Sequence, residues 1–373
     1  MKPRVLLLST VHPPTDPRII YKIAPSLTEN YEVICAIPNV NHQKENAEIQ
    51  FINLPFYRRL LSRILLCFPV LVWKCLRFRP AIVHIFVPEL IPLAFLFQWS
   101  GAKVIYEVQE NLYKKFAIKH FNNAVVYRKL FSFFDRIARK NFYCIFTEDA
   151  YLNEYKNLPF PFAVVHNYVS LPVIDAFGKN DRKLKSPPVF FYSGVISMER
   201  SFDTLVAALA ILKMKYPEFH VHLFGTIRFD WKEVQKLPHF KAIQKHLTFH
   251  GYTDFLKTLD YARGATAGIA LLKPVADYED SYTTKLFEYM ALELPVITSN
   301  FPLYRDVVDK AACGFCISPS NAKELADTLQ WLIENPDAAL LMGKKGRKAT
   351  ESNYNWSGEE QILLRFYKNL LLT

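Results

Sequence analysis

Carboxylates, hydroxyls and a lysine gather around a predicted helix start in residues 280–306. The sequence predicts a helix over Thr283–Leu292 and then a buried strand over Leu294–Thr298. Free backbone N–H groups and the positive end of the helix dipole make the start of a helix a binding site for a phosphate. A phosphate seat flanked by carboxylates suits a nucleotide-sugar, although Glu288 could instead be a solvated residue of an amphipathic helix. The residues predicted to line this seat are Asp280, Ser281, Tyr282, Thr283, Thr284, Lys285 and Glu288.

A second candidate segment lies at the N-terminus. Val5–Leu8 is a short apolar strand, and a Pro-rich loop separates it from a predicted helix over Arg18–Leu27. Ligands of parallel sheets bind at the carboxyl ends of the strands, so polar residues of this loop are predicted to line a cleft. Asp16 could also cap the helix, with Pro17 in its first turn. The predicted cleft residues, on the side of a sugar acceptor, are His12, Asp16 and Arg18.

These two segments resemble a known family. Residues 280–306 resemble the donor-binding signature of retaining GT-B glycosyltransferases, in particular glycosyltransferase family 4: two carboxylates separated by seven residues, then a helix and a strand reading PVI. Val5–Leu27 is similar to the first strand, loop and helix of family 4 enzymes of bacterial capsule, O-antigen and exopolysaccharide biosynthesis. The resemblance spans nearly the whole chain and is weaker between residues 55 and 145.

The resemblance implies roles for the donor side. Glu288 takes the position of the carboxylate that binds the ribose hydroxyls. Asp280 takes the position beside the donor sugar and diphosphate, where glutamate is usual and the reach is one methylene longer. His250, Gly251 and Tyr252 stand where the family contacts the base.

The loop after Gly194 departs from the family pattern. The family commonly has an arginine just after this glycine and a lysine about five residues on, and both approach the diphosphate. Here Val195 takes the first place and Arg200 matches the second. Lys285, at the predicted helix start, is expected to compensate electrostatically, and the Arg200 guanidinium suits a diphosphate.

A further departure follows the strand predicted at 103–106. Many relatives carry a histidine facing the donor sugar where Gln109 stands. Gln109 can still hydrogen-bond a hydroxyl, while Glu107 and Glu110 could each be a base or a surface carboxylate. Glu110 and Asn111 are predicted on the acceptor side. Because no convincing D-x-D motif occurs, metal independence is predicted, with a nucleotide-sugar, UDP favoured, as co-substrate and no cofactor.

Composition and charge bear on partners. The 373 residues are 51% hydrophobic with a net charge of +11, much of it in the first half. Basic residues flank apolar and aromatic ones in residues 57–80 and 112–142, which suits an anionic membrane surface. The alternative is that these are ordinary crossover helices with solvated charges. No nucleic-acid-binding signature is present, so no nucleic-acid partner is predicted.

No apolar run is long enough for a transmembrane helix, and no signal peptide is recognisable. The predicted location is therefore cytoplasmic, peripherally on the inner face of the cell membrane. Six scattered cysteines indicate reduced, buried thiols. Cys313 and Cys316 have C-x-x-C spacing, but they lack a second such pair and a redox or zinc role is not expected.

Alternating strands and helices predict parallel sheets covered on both faces. A polar, Pro-ending stretch at 177–188 is the predicted linker, after which the pattern restarts. The resemblance implies an α/β GT-B fold, with two Rossmann-like domains facing each other across a cleft. The predicted domains are 1–180 (acceptor and membrane side), 181–353 (nucleotide-sugar side) and a C-terminal helix, 354–373, that packs back on the first domain.

The function implied is retaining transfer of a sugar from a nucleotide-diphosphate-sugar, UDP favoured over GDP. The expected acceptor is a hydroxyl of a lipid-diphosphate-linked glycan in bacterial surface polysaccharide assembly. Asp280, Arg200, Lys285 and Gln109 are the predicted catalytic residues. A GT-B nucleotide-sugar epimerase, a non-catalytic donor-binding or scaffold subunit, and a basic-face binding module stay open.

Overall fold

The computed structural model describes residues 2–40, 48–118, 124–176 and 184–372. They form two units, one of Met1–Asn167 with Trp356–Thr373 and the other of Tyr168–Asn355. Each unit is built on one parallel sheet, which confirms the predicted α/β class with two Rossmann-like domains.

The first unit has a seven-stranded sheet in the order β3-β2-β1-β4-β5-β6-β7. All of its strand pairs are parallel. The strands are β1 (Arg4–Leu8), β2 (Glu32–Pro38), β3 (Ile49–Leu54), β4 (Ile82–Ile85), β5 (Lys103–Val108), β6 (Tyr143–Phe146) and β7 (Phe162–Val164). The helices are α1 (Ala24–Thr28), α2 (Leu60–Ser62), α3 (Phe68–Cys75), α4 (Ile91–Trp99), α5 (Leu112–Ile118) and α6 (Ala124–Asn141).

The second unit has a six-stranded parallel sheet in the order β10-β9-β8-β11-β12-β13. Its strands are β8 (Val189–Ser193), β9 (His220–Phe224), β10 (Leu247–Gly251), β11 (Ala267–Ala270), β12 (Val296–Ser299) and β13 (Gly314–Ile317). Its helices are α7 (Leu171–Asp175), α8 (Phe202–Lys213), α9 (Trp231–Val234), α10 (Phe240–Ile243), α11 (Phe255–Arg263), α12 (Thr284–Ala291), α13 (Pro302–Ala311), α14 (Ala322–Glu334) and α15 (Pro336–Ser352).

Central strands such as β1 and β8 are buried on both faces, which explains why they are continuous apolar runs. In β1, Leu6 and Leu8 point into one core and Val5 and Leu7 into the other. In β8, Phe190 and Phe191 divide between the two cores of the second unit in the same way.

The C-terminal helix, α16 (Trp356–Leu372), belongs to the first unit. Its Trp356 indole donates to Ser26 Oγ at 2.9 Å, and the Tyr367 hydroxyl lies 2.6 Å from Nδ1 of the buried His84. Aromatic side chains of α16 therefore hold this helix against the rest of the first unit.

The unit boundary differs from the predicted one, because it falls at 167/168 rather than at 180/181. Tyr168 is the reason, since its ring packs 4.7 Å from Phe287 and 5.6 Å from Tyr354 in the second unit. Residues 177–183 of the predicted linker lie outside the described residues.

The cysteines of the chain are free thiols, and all are buried except the half-buried Cys316. Burial raises the pKa of both Cys313 and Cys316 to about 12. Thiols that stay protonated at neutral pH are poor nucleophiles and poor metal ligands.

No helix in the described part of the chain is both long and apolar enough to span a bilayer.

Candidate functional site

In each sheet the strand order reverses once, between β1 and β4 and between β8 and β11. Such reversals open a crevice outside the carboxyl ends of the strands, and ligands of α/β sheets bind there. In the second unit the loop after β8 starts with Gly194, at this reversal point. The candidate site is built on that loop.

Position 194 requires a glycine for two reasons, its backbone conformation and the close approach of neighbouring atoms. Its φ is +104°, and a Cβ atom there would lie 2.7 Å from Cε of Lys285. Gly225, after β9, has a φ of +138°, and its Cβ would lie 2.0 Å from the carbonyl oxygen of Gly194. The two glycines therefore let two loops and one lysine side chain meet in a space that has no room for side chains.

Two cations converge on this point. The position that a Gly194 Cβ would take is 3.3 Å from Lys285 Nζ and 3.6 Å from Arg200 Nη1. Lys285 comes from the first turn of α12, and Arg200 from a short turn after β8. The structure thus brings together two residues that the sequence analysis had paired only by electrostatic argument.

Lys285 is almost fully buried, at 3% exposure. Its Nζ lies 3.8 Å from the centroid of the Tyr192 ring, and among the described residues it has no hydrogen-bond partner. Burial and the neighbouring Arg200 lower the pKa of Lys285 well below its ordinary value, against the opposing effect of Glu288. Within the described ranges, no carboxylate forms an ion pair with Lys285 or Arg200.

Such a pair is suited to an anion with more than one charge. Two adjacent cations repel each other, and a buried ammonium without a partner is costly, so an incoming anion relieves both. A diphosphate offers several oxygens at the spacing of a guanidinium and an ammonium. The arrangement can bind a diphosphate and can stabilise negative charge that develops on it.

Helix α12 is held in place by Tyr289, which the sequence analysis missed. Its hydroxyl accepts a hydrogen bond from the Ser193 backbone N–H at 2.9 Å and lies 3.3 Å from the Ile269 carbonyl oxygen. Gly268 makes room for it, because a Cβ there would lie 2.3 Å from the Tyr289 ring. A glycine inside a strand was the signal that could have indicated this close approach.

The loop before α12 is organised from within. Ser281 donates its hydroxyl proton to the Asp277 carbonyl at 2.9 Å, and the Tyr304 hydroxyl donates to the Ser281 carbonyl at 3.0 Å. Asp277 itself is 1% exposed. The Ser281 hydroxyl is therefore engaged by the loop, and Asp277 and Tyr304 are supporting residues that sequence reasoning did not find.

The other predicted donor residues of this segment are placed as follows. Asp280 and Glu288 are half-buried, Asp280 in the loop and Glu288 one turn after Lys285 on α12. Thr283 occupies the N-cap position of α12 without a side-chain capping hydrogen bond, and Thr284 is the first residue of the helix. Tyr282 packs its ring against Phe287 at 5.1 Å.

The predicted base contacts lie at the end of β10. His250 stacks on Phe224 with ring centroids 4.1 Å apart, and its Nε2 lies 3.1 Å from Nδ1 of His222. Gly251 accepts the Gly225 N–H at 2.7 Å, and Tyr252 is exposed. Burial and nearby imidazoles, His220 first, lower the pKa of His222 to about 4, so this imidazole is neutral at physiological pH.

In the first unit, the loop after β1 carries His12 and Asp16. His12 Nδ1 lies 2.7 Å from Ser9 Oγ, which ties the half-buried imidazole to its own loop. Asp16 caps the following helical turns, because its Oδ1 accepts the N–H groups of Arg18 and Ile19 at 3.0 and 2.9 Å. The assignment of His12 to the acceptor side stays a prediction.

Arg18 does not fit its predicted place on the acceptor side. It is 4% exposed, and its guanidinium donates to both carboxylate oxygens of Glu107 at 2.8 and 3.1 Å and to the Val165 carbonyl at 2.9 Å. With these bonds made, Arg18 is a structural residue. Glu107 is neither a surface carboxylate nor an available base, for the same reason.

Gln109 contacts the buried pair of Arg18 and Glu107. Its Nε2 donates to Glu107 Oε1 at 2.7 Å. Burial disfavours the charged form of Glu107, but Arg18 and His84 outweigh it and keep the pKa of Glu107 below its usual value. Since an ionised carboxylate only accepts, the amide nitrogen must face Glu107, and the amide oxygen is left to accept from a hydroxyl.

The two remaining acceptor-side predictions start helix α5. Glu110 is largely exposed and pairs with Lys115 at 2.8 Å. Asn111 is buried, and its Oδ1 accepts the Lys114 N–H at 3.3 Å. These contacts indicate that Asn111 supports the helix start, whereas Glu110 lies at the surface.

Within the described ranges, no cluster of three or more His, Cys, Asp or Glu side chains is arranged to hold a metal ion.

Comparisons with known proteins agree with this architecture. Residues 174–349 match the family model described as glycosyl transferases group 1. Spore coat protein SA of Bacillus subtilis is 25% identical over 196 residues, which are 51% of this chain and 51% of that protein. The chain spans about half the length, or less, of the curated relatives that it matches.

Solved structures resemble the chain over its whole length. Sucrose-phosphate synthase from Thermosynechococcus elongatus superposes with a TM-score of 0.73 at 17% identity, over 100% of both chains. Anabaena HepE, solved in complex with UDP-glucose, gives a TM-score of 0.71 at 13% identity over 98% of this chain and 100% of that one. The chain therefore has the GT-B fold, and residues 174–349, within its second unit, resemble the glycosyl transferases group 1 model.

Proposed function

We propose that this protein is a retaining glycosyltransferase that uses a nucleotide-diphosphate-sugar as donor, with UDP favoured over GDP. The observation that carries the proposal is the pair of cations, Arg200 and Lys285, that meet at Gly194 without a carboxylate partner among the described residues. The group 1 match over the same unit and the UDP-glucose complex of HepE support it.

The proposed chemistry follows from where charge develops. As the bond between the sugar C1 and the diphosphate oxygen breaks, negative charge grows on the leaving diphosphate. Arg200, Lys285 and the start of α12 stabilise that charge through preorganised donors. The acceptor hydroxyl attacks C1 from the same face, and its proton passes to the leaving phosphate oxygen, so that configuration is retained.

This scheme assigns the remaining residues. Glu288 binds the ribose hydroxyls, Asp280 lies by the donor sugar, and the amide oxygen of Gln109 accepts from a sugar hydroxyl. The scheme needs no separate general base, metal or resident cofactor. We propose metal-independent transfer on that basis.

The test is a thermal-shift panel of UDP-, GDP- and other nucleotide-sugars against the wild type, Glu288→Ala and Lys285→Met. A ligand that binds only the folded state raises the melting temperature, so one nucleotide should stabilise the wild type, stabilise Lys285→Met less and leave Glu288→Ala unchanged. Lys344→Met, a matched change on α15, should respond like the wild type. Stabilisation of Glu288→Ala to the wild-type extent would refute the ribose assignment, and no response to any nucleotide would refute the donor site.

We further propose that the acceptor is a lipid-linked glycan of bacterial surface-polysaccharide assembly and that the first unit contacts an anionic membrane. Helices α3, α4 and α6 pack into the same core cluster and so cover one face of the sheet. These helices, and the residues just before α3, leave large apolar side chains exposed. The exposed side chains are Leu61, Leu65, Leu66, Trp73, Trp99, Val125, Val126, Leu130 and Phe133. Basic residues, among them the exposed Arg128 and Lys129, lie between them.

Two basic residues of these segments, Arg63 and Arg139, are not available to this surface, because each is paired with a carboxylate. Arg139 pairs with the buried Asp135 at 2.6 Å. Arg63 donates to both carboxylate oxygens of Glu89, at 2.5 and 2.9 Å, and is mostly buried. The remaining pattern, exposed apolar side chains beside exposed cations such as Arg128 and Lys129, is typical of interfacial binding.

A further inference from the structure

We propose that Lys285 is an uncharged amine in the empty site and takes up a proton when the diphosphate of the donor binds. The inference rests on the proposed donor site and adds a property to it: nucleotide-sugar binding is coupled to proton uptake. The affinity for the donor then depends on pH through a residue that is also proposed to belong to the catalytic site.

The geometry disfavours a charged Lys285 in the empty site. Its Nζ is buried and, among the described residues, has no hydrogen-bond partner. An ammonium has three donors, and leaving all three unsatisfied away from water is unfavourable. A neutral amine in the same place loses much less hydration.

The groups that surround Lys285 do not reverse this preference. From the turn after β8, Arg200 presents a permanent positive charge at the same point. From β8, Tyr192 presents its ring, whose attraction for a cation is smaller than the lost hydration. From α12 itself, Glu288 raises the pKa of Lys285, but this effect is smaller than those of burial and Arg200, which lower it.

Phenols do not supply the missing negative charge either. The Tyr192 hydroxyl donates to the Val195 carbonyl at 2.5 Å, and burial raises the pKa of Tyr192, so it stays protonated. Tyr278, whose ring lies 5.8 Å from the Arg200 guanidinium carbon, contributes only its ring face. Positive charge is therefore favoured at Arg200 and disfavoured at Lys285 until an anion arrives.

A bound diphosphate reverses the balance. Its oxygens supply both acceptors and negative charge next to Nζ, and an opposite charge at hydrogen-bond distance favours the protonated amine. The free site has a lysine pKa below its ordinary value, and the complex has a higher one. Affinity is therefore greatest below the lysine pKa of the free protein and falls as pH rises from that value towards the lysine pKa of the complex.

The experiment is isothermal titration calorimetry with UDP-glucose, between pH 7 and 9, in buffers of different ionisation enthalpy. UDP-glucose is chosen because its phosphates are diesters and carry no titrating proton in this range, unlike those of UDP. The dependence of the observed heat on the buffer gives the number of protons exchanged. We expect uptake approaching about one proton at the pH of strongest coupling, and an affinity that falls by up to about tenfold per pH unit.

Two variants assign the proton. Lys285→Arg keeps the charge but cannot lose it, so it should bind without proton uptake and without this pH dependence. Lys285→Met should bind more weakly and also without uptake. Histidines are a separate source of protons, but burial and neighbouring imidazoles already lower the pKa of both His222 and His250, so both are neutral in this pH range.

The outcomes separate the two proposals. Wild-type binding with heats independent of the buffer would overturn proton uptake and leave the donor site intact. Uptake that persists in Lys285→Met would assign the proton elsewhere and also overturn it. Absence of binding by UDP-glucose and by GDP-mannose would overturn the donor site itself, and this inference with it.

Discussion

At the scale of single residues, burial separates the charged groups of this protein into two kinds. Arg18 and Glu107 are buried as a pair with most of their hydrogen bonds made. Lys285 is buried beside the cation Arg200, and among the described residues its Nζ has no hydrogen-bond partner. The first arrangement supports a fold, whereas the second is typical of a site that awaits a ligand.

We predict that Arg18→Met lowers the free energy of unfolding of the first unit by about 3–5 kcal/mol, because it leaves Glu107 buried without its main partner. The matched control is Arg4→Met, whose ion pair with Glu32 is nearly half exposed and should contribute at most about 1 kcal/mol. Urea unfolding followed by circular dichroism measures both, and equal losses would contradict the structural role of Arg18.

The same pair makes a pH prediction. Because the folded state keeps the pKa of Glu107 below its unfolded value, ionised Glu107 stabilises the protein above an unfolded pKa of about 4.3. That contribution is lost as pH falls towards the folded pKa. The stability difference between wild type and Arg18→Met should therefore shrink below about pH 4, and a constant difference would argue against it.

At the scale of elements, the proposed donor site depends on how closely the loop after β8 approaches helix α12. Tyr289 binds the backbone of Ser193 and fills the space left by Gly268. This contact sets the distance at which Lys285 reaches Gly194. The helix therefore contributes to the site through its position as well as through its N-terminus.

We predict that Gly194→Ala weakens UDP-glucose binding by roughly tenfold to a hundredfold, the equivalent of one charge-assisted hydrogen bond of about 1.5–3 kcal/mol. The added Cβ would displace Lys285, and the φ of +104° adds backbone strain. Gly101→Ala is the control, since Gly101 has a φ of +99° and no atom within 4 Å of a Cβ. Calorimetry should show normal affinity for Gly101→Ala, and normal affinity for both variants would contradict the packing argument.

At the scale of the whole molecule, exposed apolar side chains concentrate on the helices of one face of the first unit. Neighbouring cations give that face the charge to meet anionic lipid. The chain crosses between its two units at residues 167/168 and 355/356, so α16 lies in the first unit although it follows the second in sequence.

We predict that the protein co-sediments with vesicles containing phosphatidylglycerol, less with neutral phosphatidylcholine vesicles, and less at high salt. Trp73→Ser should reduce binding several-fold, because burying an exposed aromatic side chain contributes about 1.5–3 kcal/mol at most. Met214→Ser, at an even more exposed apolar position in the second unit, should have no effect. Equal binding to both vesicle types, or equal loss in both variants, would contradict the proposed membrane face.

Much of the fold could be predicted from the sequence. The strands predicted at Val5–Leu8, 103–106 and Leu294–Thr298 all overlap strands of the structure, because central strands buried on both faces are apolar along most of their length. The helix predicted at Thr283–Leu292 is observed at Thr284–Ala291. The domain boundary was harder to predict from the sequence, because it depends on the packing of Tyr168 against Phe287 and Tyr354.

The sequence by itself determined the alternation of strands and helices, the loops that carry polar residues at strand ends, and the family resemblance of the donor segment. These are local patterns of hydrophobicity and spacing. Only the tertiary structure decided that Arg18 lies buried against Glu107 and that Lys285 meets Arg200 over Gly194. Those contacts join residues far apart in the chain, and side-chain direction and burial, which no local pattern encodes, determine them.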